Sequence, residues 1–267
     1  MHLTNSRTRD APDHAKKLLA GSHSEEILKA ASRHVAPVFW FVRNVDGIET
    51  ILNSGTIFLV DVGHGPFAVT ANHVYEGFLA ARAEHPLVES VVLPMSNDGV
   101  RHTPLPFDLE SRLISRLYDP DIATFRVSPE EAARLRIRVV TKWPPLVPAT
   151  GQVVAFAGFP DHRRQSIGPF DLSFAVYTCL TVATSVNERH ISCQFDMEHA
   201  VEAQGFRLPP PPFRTGGLSG GPLFTVVDSR DTSSWHLGGV IALGSSALDI
   251  LRACPADRLQ PDGTLRR

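Results

Sequence analysis

The sequence predicts an all-β protein in which two blocks of short strands flank a proline-rich linker and follow a short helical lead-in. Apolar runs of four or five residues, rich in β-branched and aromatic side chains, recur along the chain and are bounded by Gly and Asn. Trp143-Pro144-Pro145-Leu146-Val147-Pro148 interrupts them near the middle, and prolines remove donors and resist central strands. A composition of 43% hydrophobic residues over 267 is ample for a core.

Taken in order, residues 10–33 place Leu18, Leu19, Ile27, Leu28 and Ala31 among charges, which predicts one or two short helices broken near Gly21-Ser22. This segment is either a lead-in that packs on the strands or an element through which a partner docks or inhibits. Strands are expected over 38–42, 56–60 and 67–70, with turns at Gly47 and Gly63-His64-Gly65. Residues 75–82 read as a short helix. Strands over 91–93 and 122–125 complete the first block, and Ser128-Pro129 opens a capped helical turn that runs to Arg134. Beyond the linker, strands are expected over 153–159, 174–177, 180–183 and 191–195. Pro209 to Pro212 read as a stiff loop in preference to a recognition site for a proline-binding domain.

Three short stretches carry chemistry. Thr215-Gly216-Gly217-Leu218-Ser219-Gly220-Gly221-Pro222 sets one hydroxyl on a glycine-walled turn before an apolar run, a setting that leaves a substrate carbonyl unobstructed and lets local N–H groups converge on its oxygen. Upstream, Thr70-Ala71-Asn72-His73 ends an apolar strand in an imidazole, and Asp119-Pro120-Asp121-Ile122-Ala123 opens another with a carboxylate. A serine hydroxyl is a poor nucleophile at neutral pH. It needs an adjacent imidazole whose far nitrogen is held by a third group, and the chain offers one of each. Asp119 and Asp121 compete for that third role; Asp121 directly precedes the apolar strand, whereas Asp119 precedes a proline and reads as a turn residue.

The order His, Asp, Ser and the flanking residues resemble the trypsin/chymotrypsin-like serine peptidases, whose signatures are T-A-A-H, D-I-A and G-D-S-G-G-P. The resemblance covers residues 36–250. It implies two six-stranded antiparallel β-barrels: residues 1–34 as a helical extension, 35–142 as a first barrel with His73 and Asp121, 143–255 as a second with Ser219, and 256–267 as a tail. By the same resemblance Ser219 is the nucleophile, His73 the general base and acid, Asp121 the group that orients the imidazole, and the N–H groups of Gly217 and Ser219 the oxyanion hole. Residues 237–246 resemble the strand that pairs with the substrate backbone in the family, so that Ala242, Leu243 and Gly244 would wall the specificity pocket and Phe213 would floor it. With no acid there, an uncharged P1 residue is expected. Leu218 departs from the family pattern, since secreted digestive members carry an aspartate there that pairs with a newly cut N-terminus. Activation of that kind is not expected, and gating by a partner or ligand is the alternative.

Other classes find less support. A formal net charge of −2 gives no basic field for nucleic acid. No two of the 12 histidines are spaced as H-x-x-x-H and the three cysteines form no C-x-x-C, so neither a metal nor another cofactor is expected. The first twenty residues lack the apolar run of a secretory signal, no stretch is apolar enough to span a membrane, and three cysteines cannot all pair. A cytoplasmic protein without membrane partners is expected. Two functions fit these residues: a serine endopeptidase acting on a peptide or protein substrate through an acyl-enzyme, or a silent or partner-gated binding module on the same fold.

Overall fold

The structure is a computed structural model that describes residues 22–43, 49–95, 103–161, 164–168, 171–195, 214–229, 232–245 and 250–267. It is built around two antiparallel sheets. The first has seven strands in the order β5-β4-β1-β2-β3-β7-β6, with β1 Val35–Arg43, β2 Glu49–Val60, β3 Phe67–Thr70, β4 Glu89–Val92, β5 Leu105–Pro106, β6 Leu113–Leu117 and β7 Ile122–Arg126. The second is a closed barrel, β11-β12-β15-β14-β13-β8, formed by β8 Val153–Gly158, β11 Tyr177–Val186, β12 Ile191–Gln194, β13 Pro222–Ser229, β14 Thr232–Ser245 and β15 Ile250–Pro255. A hairpin of β9 Arg164–Gly168 and β10 Asp171–Phe174 stands beside it.

One closed six-stranded barrel is therefore present. In the expected position of the other lies a sheet whose ladder, among the described residues, does not close. Its edges account for this. Strand β5 is two residues long and ends in Pro106, which has no N–H to donate, and a helical turn, α3 Leu109–Arg112, lies between β5 and β6 in place of continued strand.

The strands read as unbroken apolar runs because both of their faces are buried. In β2, Ile57 and Leu59 point into the interior of the first sheet while Phe58 and Val60 point into a cluster shared with the second. In β8, Val154 and Phe156 face the barrel interior while Val153, Ala155 and Ala157 face the same shared cluster. A period of two with apolar residues on both faces places each half on its own core and both on a common seam.

The first and the last described segments both cross that seam. Helix α1 Ser22–Ser32 precedes β1 yet packs on β8 and β11 of the barrel, burying Ile27 and Ala31 against the shared cluster. It stops at His34, whose Nδ1 bonds the Ala30 carbonyl at 2.7 Å and whose ring lies 4.9 Å from that of Phe224 in β13. In return, residues 256–267 leave the barrel as a strap on the first sheet. Ala256 and Leu259 are buried in the shared cluster, and the Gly263 carbonyl accepts from the Thr124 hydroxyl of β7 at 2.6 Å. The linker is fixed as well: Leu146 N–H donates to Leu237 C=O at 2.8 Å, and the buried Thr225 hydroxyl donates to Leu146 C=O at 2.5 Å. Among the described residues no helix is long and apolar enough to cross a membrane.

Candidate active site

Strand pairing brings His73 and Asp121 together. In the antiparallel pair β3 and β7, Thr70 lies opposite Ala123, so the chain leaving β3 and the chain entering β7 emerge side by side. The first continues into α2 Asn72–Glu84, which puts His73 in a first helical turn, where backbone N–H groups have no intrahelical acceptor. Asp121 supplies one. Its Oδ1 accepts the His73 backbone N–H at 2.8 Å, its Oδ2 accepts the His73 Nδ1–H at 2.6 Å, and a carboxylate is also the charge that a helix N-terminus favours. With Nδ1 donating, the proton-accepting nitrogen is Nε2, on a ring whose side chain is 49% exposed. Asp119, the rival carboxylate, instead faces Arg189 at 3.3 Å. Cys254 of β15 lies near Asp121; burial pushes its thiol up to about 12, so it stays protonated.

Ser219 lies on the turn that leads into β13, and its hydroxyl donates to the Ala242 carbonyl at 3.3 Å. No bond from Ser219 Oγ to His73 Nε2 is formed in this rotamer.

The turn itself is fixed peptide by peptide. Gly216 C=O accepts from Asp161 N–H at 2.7 Å, Leu218 C=O from Gly221 N–H at 3.0 Å, and Ser219 C=O from Thr56 N–H at 2.9 Å. In a planar trans peptide the C=O and the following N–H point opposite ways. Holding the Gly216 and Leu218 carbonyls therefore turns the N–H groups of Gly217 and Ser219 to the other side. Among the described residues neither of those two donates to a protein acceptor. Gly217 has φ +84°, and a Cβ there would collide with the Phe159 carbonyl, so glycine is required on both counts. Leu218, 1% exposed, anchors the turn from below by packing on Gly158 and joining the barrel core with Phe156, Leu223 and Ile241.

Beside the serine, β14 breaks register between Ile241 and Leu243, a bulge that turns Ala242 toward the turn. Pairing of β14 with β13 ends at Val240, so over residues 242–244 one edge of β14 has no strand partner among the described residues. Leu243 is 56% exposed there, and Gly244 C=O accepts from the Thr215 hydroxyl at 2.5 Å. Ala242 thus stands next to Ser219 and Gly244 next to Thr215, with Leu243 between them in the strand; Phe213, the expected pocket floor, lies outside the described residues. Sequence reasoning passed over Thr56 and Asp161. Among the described residues no three His, Cys, Asp or Glu side chains cluster as a metal site.

Neither a protein-family model nor a curated protein matches the sequence. Solved structures do match in fold. One is Deg5, with a TM-score of 0.51 at 17% identity over 89% of this chain and 91% of that one. Another is AL20, a thermostable serine protease from an extremophilic microorganism, with a TM-score of 0.48 at 15% identity over 85% and 93%. The fold is that of the trypsin-like serine proteases, the group to which the three sequence motifs pointed.

Proposed function

We propose that the protein is a serine endopeptidase that cleaves peptide bonds with Ser219, His73 and Asp121. The observation that carries this reading is the turn around Ser219, where two backbone N–H groups find no protein acceptor among the described residues, beside a hydroxyl and a carboxylate-held imidazole. Ser219 Oγ attacks the scissile carbonyl carbon as its proton passes to His73 Nε2. The carbonyl oxygen, now an oxyanion, accepts from Gly217 and Ser219 N–H. His73 returns the proton to the departing amine and the C–N bond breaks, leaving an ester on Ser219. Water, deprotonated by His73, then attacks that ester, and His73 passes the proton to Ser219 Oγ as the C–O bond breaks and the acid leaves. Asp121 keeps the proton on Nδ1 throughout and offsets the charge on the imidazolium.

The unpartnered edge at 242–244 suits an extended peptide that adds to it as a strand. The apolar wall of Ala242 and Leu243 favours an uncharged P1 side chain; a library of peptide substrates tests this, with Lys or Arg at P1 cleaved more slowly. The alternative of a silent binding platform is not favoured, because its hallmark would be a collapsed turn with an inward carbonyl. Leu218 gives the turn an apolar anchor within the chain, which removes the need for a newly cut N-terminus.

The deciding experiment is labelling of the purified full chain with a fluorophosphonate probe, which reports an activated hydroxyl without knowledge of the substrate. Labelling is expected in the wild type and lost in Ser219→Ala and His73→Ala. A folded wild type that takes no label would overturn the assignment.

A further inference from the structure

The nucleophile turn lies in the barrel, yet two of its peptide groups are held by one residue of the opposite sheet. Thr56, in β2, is fully buried. Its N–H donates to Ser219 C=O at 2.9 Å, and its hydroxyl donates to Gly217 C=O at 2.7 Å while accepting from Phe159 N–H at 3.0 Å. Its own carbonyl accepts from the Thr70 hydroxyl at 2.7 Å, three residues before His73. A Cβ on Gly220 would strike both that hydroxyl and the Thr56 carbonyl, so the turn sits directly on the threonine pair.

We propose that Thr56 is a positioning residue for the oxyanion hole, acting across the seam through its hydroxyl. The proposal rests on the peptidase reading above. Holding Gly217 C=O fixes the peptide that follows the Gly217 N–H, and holding Ser219 C=O fixes the peptide that follows the Ser219 N–H. One side chain and one amide thus brace the exit of each donor residue. A hydroxyl is the smallest group that can accept from Phe159 N–H and donate to Gly217 C=O together. Valine has the same shape and would leave both unpaired in a site closed to water. The turn would then be free to rotate its peptides, and the two N–H groups would lose their common aim. Because the same residue bonds Thr70, the strand that presents His73 and the turn that presents Ser219 share one reference point.

The test uses the full chain with Thr56→Val and Thr56→Ser, read by the second-order rate of fluorophosphonate labelling and by backbone hydrogen exchange over residues 214–221. Val is expected to label roughly 10- to 100-fold more slowly, somewhat less than the loss from deleting an oxyanion donor outright. Exchange in the turn should rise while exchange in β8 and β3 stays unchanged. Ser should restore both readouts to near wild type. A residue that only stabilised the fold would lower the melting temperature and leave the labelling rate of the folded protein as it was. A folded Val variant with wild-type labelling and exchange overturns the proposal. Thr56→Cys, close in size and offering only a weak sulfur donor, replaces Val should Val not fold, with the same outcomes deciding. If the wild type takes no label, the peptidase reading fails and the exchange arm alone decides: unchanged exchange overturns the role of Thr56, and raised exchange confined to the turn supports it.

Discussion

The carboxylate of Asp121 serves two donors at once, an imidazole N–H and a helix-terminal amide, both on His73. Asp121→Asn keeps the shape but can turn an NH2 toward Nδ1, which favours the wrong tautomer. It should lower kcat by about 10³- to 10⁴-fold with a small change in KM, measured on any cleaved peptide. Asp119→Asn loses only an exposed ion pair with Arg189 and should leave kcat near wild type. Gly217→Ala meets a left-handed φ and the Phe159 carbonyl together; a folded variant with labelling lowered less than about 10-fold would count against Gly217 as an oxyanion donor. His73, Asp121 and Ser219 stood out in the sequence as candidates because the chemistry proposed for them demands particular residue types. Thr56 was not, since a buried threonine in a strand reads as one more β-branched residue until its hydroxyl partners are known.

At the scale of elements, α1 and β1 meet at His34, where burial lowers the imidazole to about 4 against the Ala30 carbonyl, which raises it, and with help from Arg138. Its ordinary value is 6.5. Between these two pH values the unfolded chain binds a proton that the folded protein does not, so stability falls as pH drops through that window and is fully regained above it. The linked loss is about 3 kcal/mol over the whole window. Urea unfolding at stepped pH should show this slope, and His34→Phe, which keeps an aromatic ring beside Phe224, should flatten it. The elements themselves were legible to unequal degrees. Strands such as β2 and β8 stood out because both faces are apolar. Strand β6, half-buried throughout, and β5, cut short by Pro106, gave no such run. The apolar face of α1 announced burial, but amphipathic spacing does not say which sheet the helix meets.

For the molecule as a whole, the shared cluster joins residues of both halves, among them Phe58, Val69 and Ile122 on one side and Ala155, Phe224 and Val240 on the other. Neither half can bury that face alone. Thermal unfolding of the intact chain should therefore be a single transition by calorimetry and by circular dichroism. Residues 35–142 or 143–255 expressed separately should lack fixed tertiary structure; a cooperative transition from either fragment would refute this. The seam is where sequence reading ran out, because a run with two apolar faces does not disclose what lies against each face. It is also where the candidate chemistry sits, with the base on one half and the nucleophile on the other.

The strap of residues 256–267 gives the molecule a history as well as a shape. Domains made first on the ribosome generally fold first. Here the acceptor for Thr124, in the strand that Asp121 opens, is synthesised after the entire barrel. Until then the first half lacks one of the buried hydrogen-bond partners it has in the finished molecule. While the polypeptide is still growing, the hydroxyl and the imidazole exist without a shared frame. The frame around the candidate hydroxyl and imidazole is thus drawn from residues spread along the sequence, the last of them well beyond Ser219.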